Sequence, residues 1–133
     1  MIAVFDTNVL IAAIITEGVC AKLLRRARTG ELSLVSCPFI MTEVRRILAR
    51  KFRLSHEEVA AAIHLISEAT SHITNQEPEI SGVCRDRDDD HVLACALAAR
   101  AHYLVTGDTD LLSLGSFRQV RIVTPRDVEA LFA

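Results

Sequence analysis

Aromatic side chains are scarce in this sequence. It has no tryptophan, and aromatic residues make up only 5% of its 133 residues, although half of the residues are hydrophobic. The interior must therefore be built mainly from Leu, Ile, Val and Ala. A chain of this length buries roughly two-thirds of its unfolded surface, which is enough for one hydrophobic core. We therefore expect a single domain that spans residues 1–133.

Features of export and membrane insertion are also lacking. The apolar run from Val9 to Ile15 is much shorter than the roughly 20 residues that cross a bilayer. Asp6 follows Met1 without the basic segment that opens a secretory signal. The four cysteines form no C-x-x-C pair, which is typical of reduced thiols in the cytosol and makes a zinc site the less favoured alternative. The sequence thus predicts a cytoplasmic protein without membrane contact.

The net charge is only −2, but the charges are unevenly distributed. Residues 1–53 carry nine Lys and Arg against four Asp and Glu, whereas residues 54–133 carry six against thirteen. The basic residues of the first part are Lys22, Arg25, Arg26, Arg28, Arg45, Arg46, Arg50, Lys51 and Arg53. They form either solvated helix faces or a surface that binds a phosphate backbone beside an acidic site.

Short apolar segments alternate with longer segments of helical periodicity. The sequence predicts strands at residues 2–5, 32–37, 71–74, 103–106 and 120–123. It predicts helices at residues 9–15, 19–29, 38–52, 55–69 and 92–101, a short one from Leu111, and a last one after Thr124. Strands separated by helices indicate an α/β fold with a mainly parallel sheet and right-handed crossovers.

Acidic residues occur where such a sheet would place a functional site. Asp6 ends the first strand, Asp108 follows a later strand, Asp90 lies where a loop enters a helix, and Glu43 lies one turn inside a helix. Ligands bind at the carboxyl edge of open parallel sheets. Each acid also has a simpler explanation, because Asp90 could cap its helix, Glu43 could be a surface residue and Asp108 could belong to a turn.

Convergence of these acids would require a cation or bound protons. Two carboxylates about 4 Å apart repel each other by roughly 4 kcal/mol at an effective dielectric constant of 20. No Lys or Arg adjoins Asp6 or Asp108 in the sequence. Oxygen ligands favour Mg²⁺ or Mn²⁺ over zinc. A site of this kind suits metal-assisted cleavage of phosphodiesters.

Four stretches of the chain resemble the PIN domain (PilT N-terminus) family of metal-dependent ribonucleases, which includes the VapC-type toxins of toxin–antitoxin pairs. They are Val4-Phe5-Asp6-Thr7-Asn8-Val9-Leu10, Thr42-Glu43-Val44 with Leu48, Arg85-Asp86-Arg87-Asp88-Asp89-Asp90-His91 running into Leu93-Ala94-Cys95-Ala96, and Tyr103-Leu104-Val105-Thr106-Gly107-Asp108-Thr109-Asp110-Leu111-Leu112. Each motif alone is weak, but together they keep the family's order and spacing over most of the chain.

The resemblance implies a three-layer α/β/α sandwich that holds Mg²⁺ or Mn²⁺ and hydrolyses RNA. It further implies a homodimer and a cognate antitoxin protein as partners. Carried over by position, the catalytic and metal-binding acids are Asp6, Glu43, Asp90 and Asp108. Asp89 is the alternative to Asp90 in the run of aspartates, and the supporting residues are Thr7, Asn8 and Asp110.

Two other functions remain as alternatives. A catalytically weak PIN-fold module that binds RNA or a protein would have the same fold. A HAD-type phosphatase also begins with an Asp after its first strand, but it requires a second Asp where this chain has Asn8. A dinucleotide-binding protein is disfavoured because no G-x-G-x-x-G motif is present.

Overall fold

The computed structural model describes residues 1–75 and 79–132, and a six-stranded sheet lies at its centre. The strands are β1 (Ile2–Phe5), β2 (Ser33–Ser36), β3 (Thr70–Ile73), β4 (Tyr103–Val105), β5 (Ser116–Phe117) and β6 (Val120–Val123). Their order in the sheet is β3-β2-β1-β4-β6-β5. All neighbouring pairs are parallel except β5 and β6, which are antiparallel.

Helices connect the parallel strands. They are α1 (Thr7–Ile15), α2 (Val19–Arg28), α3 (Pro38–Arg50), α4 (His56–Ala69), α5 (Arg87–Ala98), α6 (Thr109–Leu114) and α7 (Pro125–Ala130). Helices α1 to α4 pack against one another, whereas α5 packs on β1 and β4. Right-handed crossovers place α1–α4 on one face of the sheet and α5 on the other. The predicted three-layer α/β/α architecture is thereby confirmed.

The chain reverses its direction of travel across the sheet at β1. From β1 it moves outward through β2 to β3, then returns to place β4 on the other side of β1. The carboxyl ends of β1 and β4 therefore border a topological switch point, where α/β sheets bind ligands. Phe5 lies opposite Val105 in the register of these strands, so Asp6 and Thr106 emerge side by side.

The core is aliphatic, as the composition predicts. Ala3, Val4 and Phe5 of β1 are fully buried, as is Leu104 of β4. Three consecutive buried residues in a strand require helices on both of its faces, which explains the apolar sequence of β1. Asp6 thus directly follows a buried segment of the sheet.

Several helix ends agree with the sequence. Ser55 and Glu58 form the predicted capping box of α4. A second capping box opens α7, where the Thr124 hydroxyl accepts the Asp127 N–H and the Asp127 carboxylate accepts the Thr124 N–H. Pro125 lies in the first turn of this helix. Gly30 has a φ of 84° just beyond α2, a conformation that favours glycine. Local side-chain chemistry specifies these boundaries.

Other boundaries differ from the prediction. Helix α5 begins at Arg87, five residues before the predicted start, because the carboxylate of Asp86 caps it by accepting the Asp88 N–H at 2.9 Å. The strand β5 was not predicted, since a two-residue segment has no recognisable periodicity. The loop predicted at residues 75–82 lies partly outside the described residues.

Within the described ranges, no single helix is long and apolar enough to cross a membrane. Helices α1 and α2 together meet the length and composition criteria, but they are bent by 98° with respect to each other.

Candidate metal and nucleic-acid site

Asp6 is held rigidly at the carboxyl end of β1. Its backbone N–H donates to the carbonyl of Val105 at 2.9 Å, and its side chain caps α1 by accepting the Thr7 N–H at 2.7 Å. The second carboxylate oxygen accepts a hydrogen bond from the Thr106 hydroxyl at 2.7 Å. Only 6% of Asp6 is exposed. This carboxylate therefore has a fixed orientation before any ligand arrives.

Thr106 connects Asp6 with Asp108. Its hydroxyl donates to Asp6 and accepts the Asp108 N–H at 3.0 Å. Asp108 in turn caps α6 by accepting the Asp110 N–H. Thr106 is fully buried, and the sequence analysis did not assign it a role. The signal that could have found it is its place at the end of a strand in the sequence Thr106-Gly107-Asp108.

Glu43 reaches the site from α3. The Thr7 hydroxyl donates to one of its carboxylate oxygens at 2.9 Å, and Arg46 lies 3.5 Å from the other. The pKa of Glu43 is raised mainly by burial, and the carboxylates of Asp88 and Asp6 raise it further, against the lowering effects of Thr7 and Arg46. Thr7 thus contacts Glu43 directly, and its supporting role in the site stays a prediction.

Two neighbouring aspartates of the aspartate-rich segment have different partners. The side chain of Asp89 is hydrogen-bonded to that of Asp108, and the charge of Asp6 also raises its pKa. Asp90 is only 4% exposed and accepts the backbone N–H of Cys84 at 2.8 Å. Asp89, the alternative from the sequence, thus interacts with the other acids. Asp90 holds the loop before α5, and its role as a metal ligand stays a prediction.

Asn8 and Asp110 are the other two predicted supporting residues, and their roles stay predictions. Both residues are exposed at the surface. Asp110 contributes its backbone N–H to the cap of α6. We define the carboxylate cluster as Asp6, Glu43, Asp89 and Asp108.

The carboxylates of the cluster repel one another when they are ionised. Burial is the largest cause that raises the pKa of Asp6, and the charge of Asp108 adds to it, while the Thr106 and Thr7 hydrogen bonds lower it. Burial, followed by the charge and hydrogen bond of Asp108, raises the pKa of Asp89 to about 7. The carboxyl group of Asp89 is thus partly protonated near neutral pH. A bound cation would relieve the same repulsion.

The donors of the carboxylate cluster fit a hard divalent cation. All of them are carboxylate oxygens, which Mg²⁺ and Mn²⁺ prefer. In residues 1–75 and 79–132, no three His, Cys, Asp or Glu side chains are arranged closely enough to hold an ion. Binding by three of these carboxylates therefore requires side-chain rotation, for which half-buried Glu43 and Asp89 have room that Asp6 lacks.

A basic groove begins next to the carboxylate cluster. It lies between α3 and α4, and Arg46, which contacts Glu43, is part of its wall. We name it the α3–α4 groove, and its lining includes Arg45, Arg46, Arg50, His56 and His64 around an apolar floor of Ala49, Leu54, Val59, Ala60 and Ile63. Some of the basic residues of the first part of the chain thus do share one surface.

Other basic residues of that part of the chain have structural contacts. Arg26 forms a two-point interaction with Glu129 of α7 and lies 4.5 Å from the centre of the Phe132 ring. Lys22 also contacts Glu129, at 3.2 Å. These two cations of α2 hold α7 in place, so the hypothesis of a single phosphate-binding track does not extend to them.

The sequence profile described as PIN domain matches residues 3–110 of this chain. The match covers most of the chain and includes every member of the carboxylate cluster. The protein therefore belongs to the PIN domain family. A comparison with curated proteins finds no match.

Solved structures independently support the fold. A similar chain occurs in the crystal structure of VapBC2 from Rickettsia felis bound to a DNA fragment from their promoter. The TM-score is 0.69 with 14% sequence identity, and the alignment covers 93% of this chain and 98% of that one. At this identity the comparison establishes a shared fold.

Proposed function

We propose that this protein is an Mg²⁺- or Mn²⁺-dependent endoribonuclease that hydrolyses RNA phosphodiester bonds. The observation that carries the proposal is the carboxylate cluster, which comes from four separate segments and meets at the switch point of the sheet. Burying repelling acids there destabilises the fold, and cation binding would offset that cost. Membership of the PIN domain family supports the same conclusion.

Each residue of the carboxylate cluster would have a distinct task. Asp6 would be the metal ligand with a fixed orientation, because Thr7 and Thr106 donate hydrogen bonds to its carboxylate. Asp108 would contribute an oxygen, and Asp89 would do so once its carboxyl group has lost its proton. Glu43 lies between Thr7 and Arg46, at the side of the cluster where the α3–α4 groove opens. It would therefore accept a proton or orient water near an RNA phosphate that arrives from this groove.

A divalent cation in this position would lower the pKa of bound water and stabilise charge on the oxygens of the phosphodiester. Side chains of the protein would orient the RNA phosphodiester. Arg46 would bind the phosphate backbone, since a guanidinium forms paired hydrogen bonds with phosphate oxygens. Arg45 and Arg50 extend the same charge along the groove.

We further propose that the protein acts in the cytoplasm as the toxin of a type II toxin–antitoxin pair, as a homodimer. The support is the structural likeness to a chain of the VapBC2 complex. A cognate antitoxin would be encoded beside it. A catalytically weak binding module is the second candidate, and the absence of three converged ligands among the described residues is the observation that favours it.

Cleavage of a mixed, structured RNA tests the enzymatic proposal. The purified protein would be assayed with Mn²⁺, with EDTA, and as Asp6→Asn and Asp89→Asn. We expect activity only in the first condition, with a loss of at least about 100-fold in each variant, because a loss of a metal ligand removes several kcal/mol of transition-state stabilisation. Glu17→Gln, which removes an exposed carboxylate outside the predicted site, is the matched control and should retain activity.

Two results would count against the enzymatic proposal. Equal cleavage by wild type, Asp6→Asn and the EDTA sample would mean that a contaminant acts. If no RNA is cleaved and calorimetry detects no Mn²⁺ binding, the carboxylate cluster is not a metal site and the binding module is the correct function.

A further inference from the structure

A basic cavity lies at the opposite edge of the sheet from the carboxylate cluster, where β4 and β6 begin. It has a volume of about 650 Å³. Its polar lining is Arg100, His102, Arg118 and Gln119, and its apolar lining is Leu97, Ala101 and Val120. Among the described residues, no acidic side chain lines it. We name it the amino-edge cavity.

Two arginines of the amino-edge cavity have an unfavourable backbone conformation. Arg100 has a φ of 52° and Arg118 a φ of 53°, in the left-handed region that side chains with a Cβ rarely adopt. Arg100 directly follows the last turn of α5, where its N–H bonds the carbonyl of Leu97. Arg118 occupies the tight turn between Phe117 and Val120. Glycine is the residue that such positions usually select.

The same chain uses glycine at comparable positions. Gly30 follows α2 with a φ of 84°, and Gly115 follows α6 with a φ of 72°. At the amino-edge cavity, however, both left-handed positions carry a long cationic side chain. A third arginine, Arg53, has a φ of 54° and does not line the cavity, so the left-handed backbone alone does not mark a binding site. What distinguishes the amino-edge cavity is that two separate elements bring such arginines to the same place.

His102 is the third basic residue of the cavity, and its ring is fixed. Its Nδ1 accepts the backbone N–H of Ile2 at 2.9 Å. The neutral ring must therefore carry its proton on Nε2, which remains a hydrogen-bond donor. The guanidinium of Arg118 lies over the Phe117 ring, 5.2 Å from its centre. The lining of the cavity thus combines two arginines and one imidazole N–H with an apolar floor.

We propose that the amino-edge cavity is a second binding site, which takes the phosphate group of a nucleotide. Guanidinium groups bind phosphate through paired hydrogen bonds, and the floor of Leu97, Ala101 and Val120 would contact the base. A cavity of about 650 Å³ falls within the usual size of sites for small ligands. The nucleotide is either free or the terminal residue of an RNA strand, and both present the same phosphate chemistry.

Nuclear magnetic resonance of the His102 ring nitrogens tests the proposal at the site itself. The Asp6→Asn protein in EDTA would be titrated with inorganic phosphate, with AMP and with a short 5′-phosphorylated oligoribonucleotide. We expect the Nε2 resonance to shift. In Arg100→Gly/Arg118→Gly, affinity should fall by at least about tenfold, because two charge-assisted hydrogen-bonding groups are lost.

The glycine substitutions separate binding from folding. Glycine relieves the left-handed strain, so the double variant should melt at or above the temperature of the parent protein. Arg53→Gly is the matched control, because Arg53 has a φ of 54° but does not line the cavity. It should change the melting temperature in the same direction and leave binding intact.

The titrations also distinguish the sources of the phosphate. A shift of His102 with AMP assigns the cavity to a free nucleotide, and a shift with the oligoribonucleotide alone assigns it to a strand end. If no probe shifts His102, or if the double variant binds every probe as well as Arg53→Gly does, the proposal is wrong. RNA cleavage is not part of this readout, so the result is independent of the proposed nuclease activity.

Discussion

Adjacent aspartates at the start of α5 have opposite environments. Asp89 faces Asp108 and Asp6, and its pKa is raised to about 7 by burial and by the charge of Asp108. Asp90 is buried beside it but satisfies the N–H of Cys84. One carboxylate is thus destabilised by its surroundings and the other holds a loop together. Two predictions at the scale of single residues follow from this difference.

The first prediction concerns how the stability of the metal-free protein depends on pH. Because the folded-state pKa of Asp89 is raised above its ordinary value of 3.8, the folded protein binds more protons than the unfolded chain between about pH 4 and 7. Stability in EDTA should therefore fall as the pH rises through this window. Asp89→Asn should remove that fall and be more stable at pH 8 by about 1–2 kcal/mol, after allowance for its partial exposure.

Urea denaturation at pH 5 and pH 8 measures this effect. Asp110→Asn, which removes an exposed carboxylate of the neighbouring helix, is the control and should keep the pH dependence of the wild type. If the free energy of unfolding of Asp89→Asn changes with pH as it does in the wild type, Asp89 ionises normally in the folded protein.

The second prediction concerns the effect of Asp90 on stability. Asp90→Ala leaves the buried N–H of Cys84 without its acceptor, which should destabilise the protein by about 1–3 kcal/mol. Thermal unfolding followed by circular dichroism measures the change. Asp89→Asn should instead stabilise the protein at pH 8. The two variants at adjacent positions therefore serve as controls for each other. A more stable Asp90→Ala would mean that Asp90 belongs to the repelling cluster.

At the scale of elements, α2 packs against α7, the last helix of the chain. Arg26 binds both carboxylate oxygens of Glu129, at 2.7 and 2.8 Å. The hydrogen bond from Arg26, together with Lys22, lowers the pKa of Glu129 to about 2. This ion pair connects a helix near the start of the chain with the last one.

Glu129→Gln should therefore weaken the attachment of α7 at neutral pH. A lowered pKa means that the stabilising effect is present above about pH 4.5 and disappears as the pH falls towards 2. The difference in melting temperature between wild type and Glu129→Gln should accordingly be largest at pH 6 and vanish near pH 2. Glu31→Gln removes the more exposed partner of Arg26 and should have a smaller effect. A pH-independent difference would show that Glu129 acts through packing alone.

At the scale of the whole molecule, the charges have a clear arrangement around the site. The net charge is −2, yet Arg45, Arg46 and Arg50 converge on the α3–α4 groove beside an acidic centre. A negative molecule can therefore present a local basic surface to RNA, while bound cations reduce repulsion at the carboxylate cluster.

Arg50→Glu should weaken RNA binding through this groove. Each lost phosphate contact lowers the slope of log affinity against log salt concentration by about 0.7 for a single strand. We expect a higher KM, a nearly unchanged kcat and a shallower salt dependence. Arg126→Glu on α7 is the charge-matched control and lies outside the groove. Equal effects of both variants would indicate a general charge effect instead of a groove.

The sequence by itself determined the order of helices and strands, the aliphatic core and the place of Asp6. These features depend on local periodicity and on residues at the end of a segment, such as the capping box of Ser55. The same pattern proposed Glu43 and Asp108 as site residues, the PIN resemblance supported that choice, and the structure brings both near Asp6.

Only the tertiary structure decided which aspartate of α5 faces the site and what supports Asp6. Neighbouring helical residues point about 100° apart, so the choice between Asp89 and Asp90 depends on where α5 begins and how it packs on the sheet. The hydrogen bond from Thr106 to Asp6 joins residues 100 positions apart. The bond from Thr7 to Glu43 spans 36 positions. Such contacts depend on strand order and register, which are set by the packing of the whole domain.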